Sequence, residues 1–262
     1  MRVAFVGKGG AGKSVIAGTF CRVLARSTGH PVVAIDSDSM PGLAYSLGMA
    51  STDTMLPPEI VTEIVTEIAG QPGNEPGREI VLRDGLTALD AVEQYAAKGP
   101  DGVRLLQFGK LRGHVRVAGP SQQAFRVIVD GLCSTDCHLV GDLPGGTRQP
   151  FFGWAGFADI VLVVAEATPS SMLAARRLAR LTRPGGPAEH STVVAIVNKV
   201  QKPTDADRLA QFTGLRVRCI VPADPAVGAA ERDGVALIDA APDSPAVKAI
   251  SSLVESLVTE VP

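Results

Sequence analysis

Short, wholly apolar runs alternate along this chain with longer segments whose apolar residues recur every three or four positions. Val3-Ala4-Phe5-Val6, Val32-Val33-Ala34-Ile35, His138–Asp142, Asp159–Ala165, Val193–Lys199 and Val217–Val221 have the length and composition of strands, several of them buried mid-sheet. Between them the spacing predicts helices over residues 13–26, with Val15, Ile16, Phe20, Val23 and Leu24 inward, and over 121–132. Another opens at Thr168-Pro169 with Leu173, Leu178 and Leu181 inward. The last covers 244–259, with Ser244 or Asp243 as cap, Pro245 in the first turn, and Val247, Ile250, Leu253, Val254 and Leu257 on one face. Strand, helix and strand in succession at the start imply a parallel pair joined by a right-handed crossover. The pattern as a whole gives a three-layer α/β fold, a mostly parallel central sheet with helices on both faces.

Residues 51–102 are less regular. Ile60, Ile64, Val65 and Ile68 have helical spacing, and the glycine- and proline-rich run 70–77 reads as a loop. A helix over Ala88–Ala97 and a strand over Val103–Phe108 follow. No internal repeat or linker divides the chain, so residues 1–262 are expected to form one domain. The variable stretch 51–102 would lie over the ligand face and read a partner.

The chemistry gathers at strand ends, where parallel sheets place their ligands. Gly7-Lys8-Gly9-Gly10-Ala11-Gly12-Lys13-Ser14 follows the first strand and opens the first helix, and it fits the phosphate-cradling pattern G-x-x-x-x-G-K-[ST] in its required context. Glycines let backbone N–H groups close around phosphate oxygens, and the helix start adds positive dipole. Lys13 is placed to reach the β- and γ-phosphates and Ser14 to ligate Mg²⁺. Asp36 and Asp38 end the second strand, one suited to hold Mg²⁺ and its waters and the other to polarise an attacking water. Asp142, followed by Leu143-Pro144-Gly145-Gly146, has the form of a Walker B aspartate with a glycine-bearing switch. Cys133-x-x-x-Cys137-His138 is a weak metal signal, because adjacent strand residues point to opposite faces.

The second lysine, Lys8, directly after the first glycine gives a loop that resembles the deviant Walker A of the MinD/ParA superfamily. The segment Val32–Gly48, VVAIDSDSMPGLAYSLG, resembles the Asp-x-Asp-Pro…Asn-Leu-x-x-x-Leu-Gly stretch of the same superfamily and looks closest to the carbon-monoxide-dehydrogenase maturation ATPases, with Ser39 where those carry proline. The resemblance implies an ATPase that uses ATP/ADP and Mg²⁺ and closes as a homodimer on ATP. Lys8 would cross to the partner's phosphates, Lys13 would act on the transferred group, and Asp38 would orient water. Asp36 and Asp142 would stand on the magnesium side with Ser14. Nucleotide contacts would come from Gly9, Gly10, Ala11, Gly12, Lys13, Ser14 and Val15. Asn198 after its strand would read the adenine edge, and Pro222-Ala223-Asp224 is similar to the segment flanking the base. A client protein, possibly a metalloenzyme, would receive the output; a positioning ATPase acting on DNA or protein cargo, or a scaffold that binds ATP without turnover, are the other readings. The nickel-maturation members carry a Cys-x-Cys where this chain has Val115–Ser121, which lacks cysteine.

Composition narrows these options. The formal net charge is −2 over 262 residues, with 45% hydrophobic and 20% charged positions, which gives no global attraction to nucleic acid or anionic membrane. Arg176, Arg177, Arg180 and Arg183 give one helix a basic face, most simply a solvated one. No apolar run reaches the roughly 20 residues of a membrane helix. The last helix has only Lys248 against Glu255 and Glu260, the wrong sign for anionic lipid. Four cysteines and an immediate strand at the start point to a reducing, cytoplasmic setting.

Overall fold

A computed structural model describes residues 1–38, 42–50, 65–69, 78–107 and 118–260. The expected proline-replacing Ser39, Ile60 and Ile64, the loop 70–77, Phe108 and Val115 to Val117 lie outside the described residues.

An eight-stranded sheet forms the middle layer. Its strands are β1 (Arg2–Gly7), β2 (Val32–Asp36), β5 (Ala97–Lys98), β6 (Arg104–Gln107), β7 (His138–Asp142), β8 (Ile160–Ala165), β9 (Thr192–Val200) and β10 (Val217–Pro222). They run in the order β10-β9-β8-β1-β7-β2-β6-β5, parallel except for β5, which pairs antiparallel with β6 at the edge. Successive residues of each strand feed opposite cores. Val3 and Phe5 of β1 join one cluster and Ala4 and Val6 the other, as Leu162 and Val164 of β8 divide from Val161, Val163 and Ala165.

Helix α1 (Lys13–Thr28), the short α2 (Leu43–Ser46) and, late in the chain, α7 (Pro225–Asp233), α8 (Leu237–Ala240) and α9 (Pro245–Glu260) cover the Phe5 side. On α9, Val247, Ile250, Leu253, Val254 and Leu257 are all buried, the expected apolar face. Helices α3 (Ala88–Tyr95), α4 (Ala118–Gly131), α5 (Pro169–Leu178) and α6 (Thr204–Thr213) cover the other. Helix α4 begins three residues before its expected start. Leu178 and Leu181 are buried as expected, but Leu173 is exposed.

Two expectations need correction. Val65 and Ile68 belong to strand β3 (Val65–Ala69), which forms an antiparallel hairpin with β4 (Arg78–Leu82), so the predicted helix does not extend over them. Apolar residues four apart, as Ile60, Ile64 and Ile68 are, fit one face of a helix or of a strand; here Val65 is buried beside an exposed Thr66, and the hairpin packs on α4. Second, β1 and β2 are parallel but not neighbours, because β7 inserts between them. Chain order carries no information about which later apolar strand fills that slot. The insertion places Asp142 beside the end of β1, in register with Phe5 on one side and Asp36 on the other.

Candidate nucleotide site

The loop after β1 is shaped to hold an anion. Gly12 precedes α1 with φ 91°, a left-handed conformation that side chains rarely adopt, and a Cβ there would meet the Asn198 amide nitrogen at 2.3 Å. No side chain caps the helix, and its first turn holds no acidic residue. The leading N–H groups of a 16-residue helix therefore stand without a side-chain acceptor beside the positive end of its dipole. Lys13, only 8% exposed, adds a buried cation at the same point. A helix N-terminus and a buried ammonium are mutually unfavourable unless a negative group joins them, and phosphate satisfies both.

Two carboxylates stand at the adjacent strand ends beside the loop. Asp36 is fully buried; its Oδ1 accepts from the Asp38 N–H at 3.0 Å, and its Oδ2 accepts from Gly42 and Leu43 at 3.1 and 3.0 Å. Burial raises its pKa above the usual carboxylate range, against those three N–H bonds. Asp142 is pushed up to about 7, first by burial and then by the charge of Asp36, with a Ser14 hydrogen bond and Lys13 opposing. Among the described residues its Oδ1 has no hydrogen-bond partner. A buried, unpartnered carboxylate oxygen beside a serine hydroxyl is a donor set for a hydrated hard cation, so these residues fit Mg²⁺. Among the described residues no group of three His, Cys, Asp or Glu side chains is placed to hold a metal ion. Asp38 is half-buried at the mouth of this group, and Lys8 is exposed on the loop.

Strand β9 grips the loop from the other side. The Asn198 side-chain amide donates to the Ala11 carbonyl at 2.8 Å and is buried. Lys199, with φ 56°, sends its ammonium to the Gly10 carbonyl at 2.9 Å and to Glu166 Oε1 at 2.7 Å. The expected adenine-reading Asn198 thus contacts the phosphate loop itself. Lys199 and Glu166 carried no motif in the sequence, because their partner is a backbone carbonyl of a distant segment. The adjacency of Lys199 to Asn198 is the only signal that could have found it.

The glycine switch lies directly on the loop. The Gly146 N–H donates to the Gly7 carbonyl at 2.9 Å, and a Cβ on Gly145 would sit 2.7 Å from Gly9 Cα. Downstream, Gln149 approaches the Ser37 hydroxyl at 3.4 Å, which links the switch to the Asp36–Asp38 turn. Beside Ser14 and Val15 a cleft of about 510 Å³ opens between α2 and α7, lined also by Tyr45, Ala230 and Leu237. Pro222 and Ala223 close β10, where the Ala223 N–H donates to Val200, and Asp224 caps α7 through the Ala226 N–H at 2.9 Å while also accepting from Ala246.

The remaining candidates do not converge. Cys133 is exposed and Cys137 buried with its thiol pushed up to about 11 by burial, and all four cysteines are free. His138 packs edge-on against His30 with 4.9 Å between ring centroids. Arg176 and Arg177 lie on α5, but Arg180 and Arg183 follow its end, so the four do not share one helix face. No helix among the described residues is long and apolar enough to cross a membrane.

Comparison with known proteins agrees with this geometry. Residues 3–238 match the family model described as the CobQ/CobB/MinD/ParA nucleotide binding domain. The chain is 29% identical to the carbon monoxide dehydrogenase accessory protein CooC of Rhodospirillum rubrum over 92% of its own length and 91% of that protein. It is 27% identical to an uncharacterised ATP-binding protein of Methanocaldococcus jannaschii, over 96% and 85% of the two chains. Its fold superposes on the septum site-determining protein MinD of Pyrococcus horikoshii, solved with Mg-ADP, with TM-score 0.72 at 15% identity and coverage of 99% and 97%. A loop built for phosphate, aspartates aligned at its rim and a family match over most of the length lead to one conclusion: this chain belongs to the CobQ/CobB/MinD/ParA family of nucleotide-binding ATPase domains.

Proposed function

We propose that this protein is a Mg-ATP-driven dimeric switch that acts as an accessory factor for a client protein of the metalloenzyme class. The observation that carries the switch is the division of labour between two lysines of one loop: Lys13 is buried at the helix start, whereas Lys8 is exposed and free to reach outward. The client reading is supported by the 29% identity to CooC across nearly the full length of both chains.

Bound Mg-ATP supplies the transferable phosphoryl group and the cation that spreads its charge. The residues of the chain do the rest. The uncapped N–H groups of α1 and the Lys13 ammonium hold phosphate oxygens, and the Ser14 hydroxyl turns toward the cation. Asp36 and Asp142 orient the water shell around the cation, and Asp38 orients the attacking water. Lys8 reaches the partner's phosphates, so the charge of the transition state is fully met only in the closed dimer. Asn198, Pro222 and Ala223 border the base. Hydrolysis then releases the closed state, and the client reads the change. Four free thiols support a reducing, cytoplasmic setting.

Solution mass by light scattering, with ADP and with ATP, on wild type and Lys8→Ala, tests the reading. ATP is expected to double the mass of wild type and leave Lys8→Ala monomeric. A wild-type mass indifferent to nucleotide would overturn the switch.

A further inference from the structure

Away from the phosphate loop, at the opposite end of the sheet, the start of β9 and the segment before β10 frame a cleft of about 490 Å³. Arg176, Arg180, Arg183 and Arg216 line it, together with Thr182 and Gly214, and no carboxylate is among its lining residues. Among the described residues none of the four guanidinium groups forms an ion pair with Asp or Glu; Arg176 instead lies 5.4 Å from the Phe212 ring centroid. Other described arginines, Arg177 and Arg208 among them, also lack an ion pair; these four are set apart by lining one concavity together. A basic residue at a helix C-terminus has an ordinary explanation, since it offsets the negative end of the dipole. Here that explanation falls short. The ends of α5 and α6 border the cleft, and two such ends supply roughly one negative charge between them against four positive ones. Four like charges gathered in a chain of net charge −2 leave a local excess that an anion would neutralise.

We propose that this cleft binds a compact oligophosphate, separately from the nucleotide site. Guanidinium forks match phosphate oxygens in pairs, and four of them around one concavity suit a short chain of phosphates. The cleft's volume is that of a small-molecule site, and its concave form favours a compact ligand over the convex backbone of duplex DNA.

The probe is inorganic tripolyphosphate, titrated calorimetrically in magnesium-free buffer into protein whose nucleotide site is saturated with ADP. One site per chain is expected, weakening with salt as guanidinium–phosphate contacts do. Arg180→Glu combined with Arg216→Glu should weaken it about tenfold or more, since each charge-assisted bond lost is worth about that factor. Arg176→Ala with Arg183→Ala should weaken it as well, with ADP binding retained as the measure of an intact fold. In Lys13→Ala the site should persist, so its survival there separates this proposal from the fate of the ATPase reading. Absence of binding to wild type at low salt overturns it. So does binding unchanged by both double substitutions, which places the ligand elsewhere, and so does binding of a short DNA duplex without tripolyphosphate, which makes the surface a nucleic-acid contact.

Discussion

The Asn198 amide nitrogen stands 2.8 Å from the Ala11 carbonyl, bridging the end of β9 to the middle of the phosphate loop across 187 positions of sequence. The same amide occupies the space that a Cβ on Gly12 would need. Loop and strand are thus fitted to each other. Asn198→Ala leaves a buried carbonyl unpaired and should cost about 1–3 kcal/mol of stability, with weaker nucleotide binding. Chemical denaturation together with ADP titration reads both effects. An unchanged midpoint and affinity would show that the bond is not needed.

Lys199 holds the next carbonyl and is itself held by Glu166. Its left-handed backbone is a conformation it shares, among the described non-glycine residues, only with Asp101. Lys199→Ala should loosen the loop, so nucleotide KM rises several-fold, by analogy with the loss of one charge-assisted bond. Glu166→Gln should give a smaller effect of the same sign, because Lys199 then keeps only its backbone partner. Steady-state hydrolysis kinetics on both variants separate KM from kcat. A fall in kcat alone would contradict a positioning role.

Asp142 gives a pH signature. Its carboxyl titrates near 7 in the fold and near 3.8 in the unfolded chain. Between those values the native state holds a proton that the unfolded state has released, so this group's contribution to the stability of the nucleotide-free fold falls as pH rises through the window and is level above it. Asp36, raised in the same direction, acts with the same sign. The cation requires the ionised form. The thermal shift produced by Mg-ADP should therefore be larger at about pH 8 than at about pH 6, and Asp142→Asn should flatten that difference. Equal shifts at both pH values would mean that Asp142 is not coupled to the cation.

Arg22 is a structural counterpart to these site residues. Buried on α1, it donates to the Leu47 carbonyl at 3.0 Å and to both carboxylate oxygens of Asp239 at 2.9 and 3.0 Å, and it pairs with Asp101. It ties the phosphate-loop helix to α2 and α8. Arg22→Ala removes the one buried cation from two aspartates and should destabilise the fold by about 2–4 kcal/mol, while the catalytic groups stay in place. Urea unfolding measures the loss, and a variant unfolding at the wild-type midpoint would deny the network its role.

Gly145 tests the switch. Any side chain there meets the backbone of Gly9 rather than a movable side chain. Gly145→Ala should push the two loops apart and reduce hydrolysis by about tenfold or more, as small misplacements at a site do, while ADP binding survives because the loop's own N–H groups remain. Hydrolysis at the wild-type rate would mean that the close approach is incidental.

Local residue patterns were enough to specify the phosphate loop, the strands that end in Asp36, Asp142 and Asn198, and the apolar face of α9. Each of these depends on neighbours a few residues apart: glycine freedom, an uncapped helix start, and periodicities of two or three to four. What the tertiary structure alone decided was which strands lie side by side. Insertion of β7 between β1 and β2 set Asp142 level with Asp36; burial at those strand ends raises both pKa values, and the charge of Asp36 adds to the shift of Asp142. The partner of Lys199 was equally hidden, since a backbone carbonyl has no sequence identity to recognise. The strand Val65–Ala69 was hidden for a related reason: apolar residues four apart fit one face of a helix or of a strand, and only the partner strand and the helix beneath choose between them.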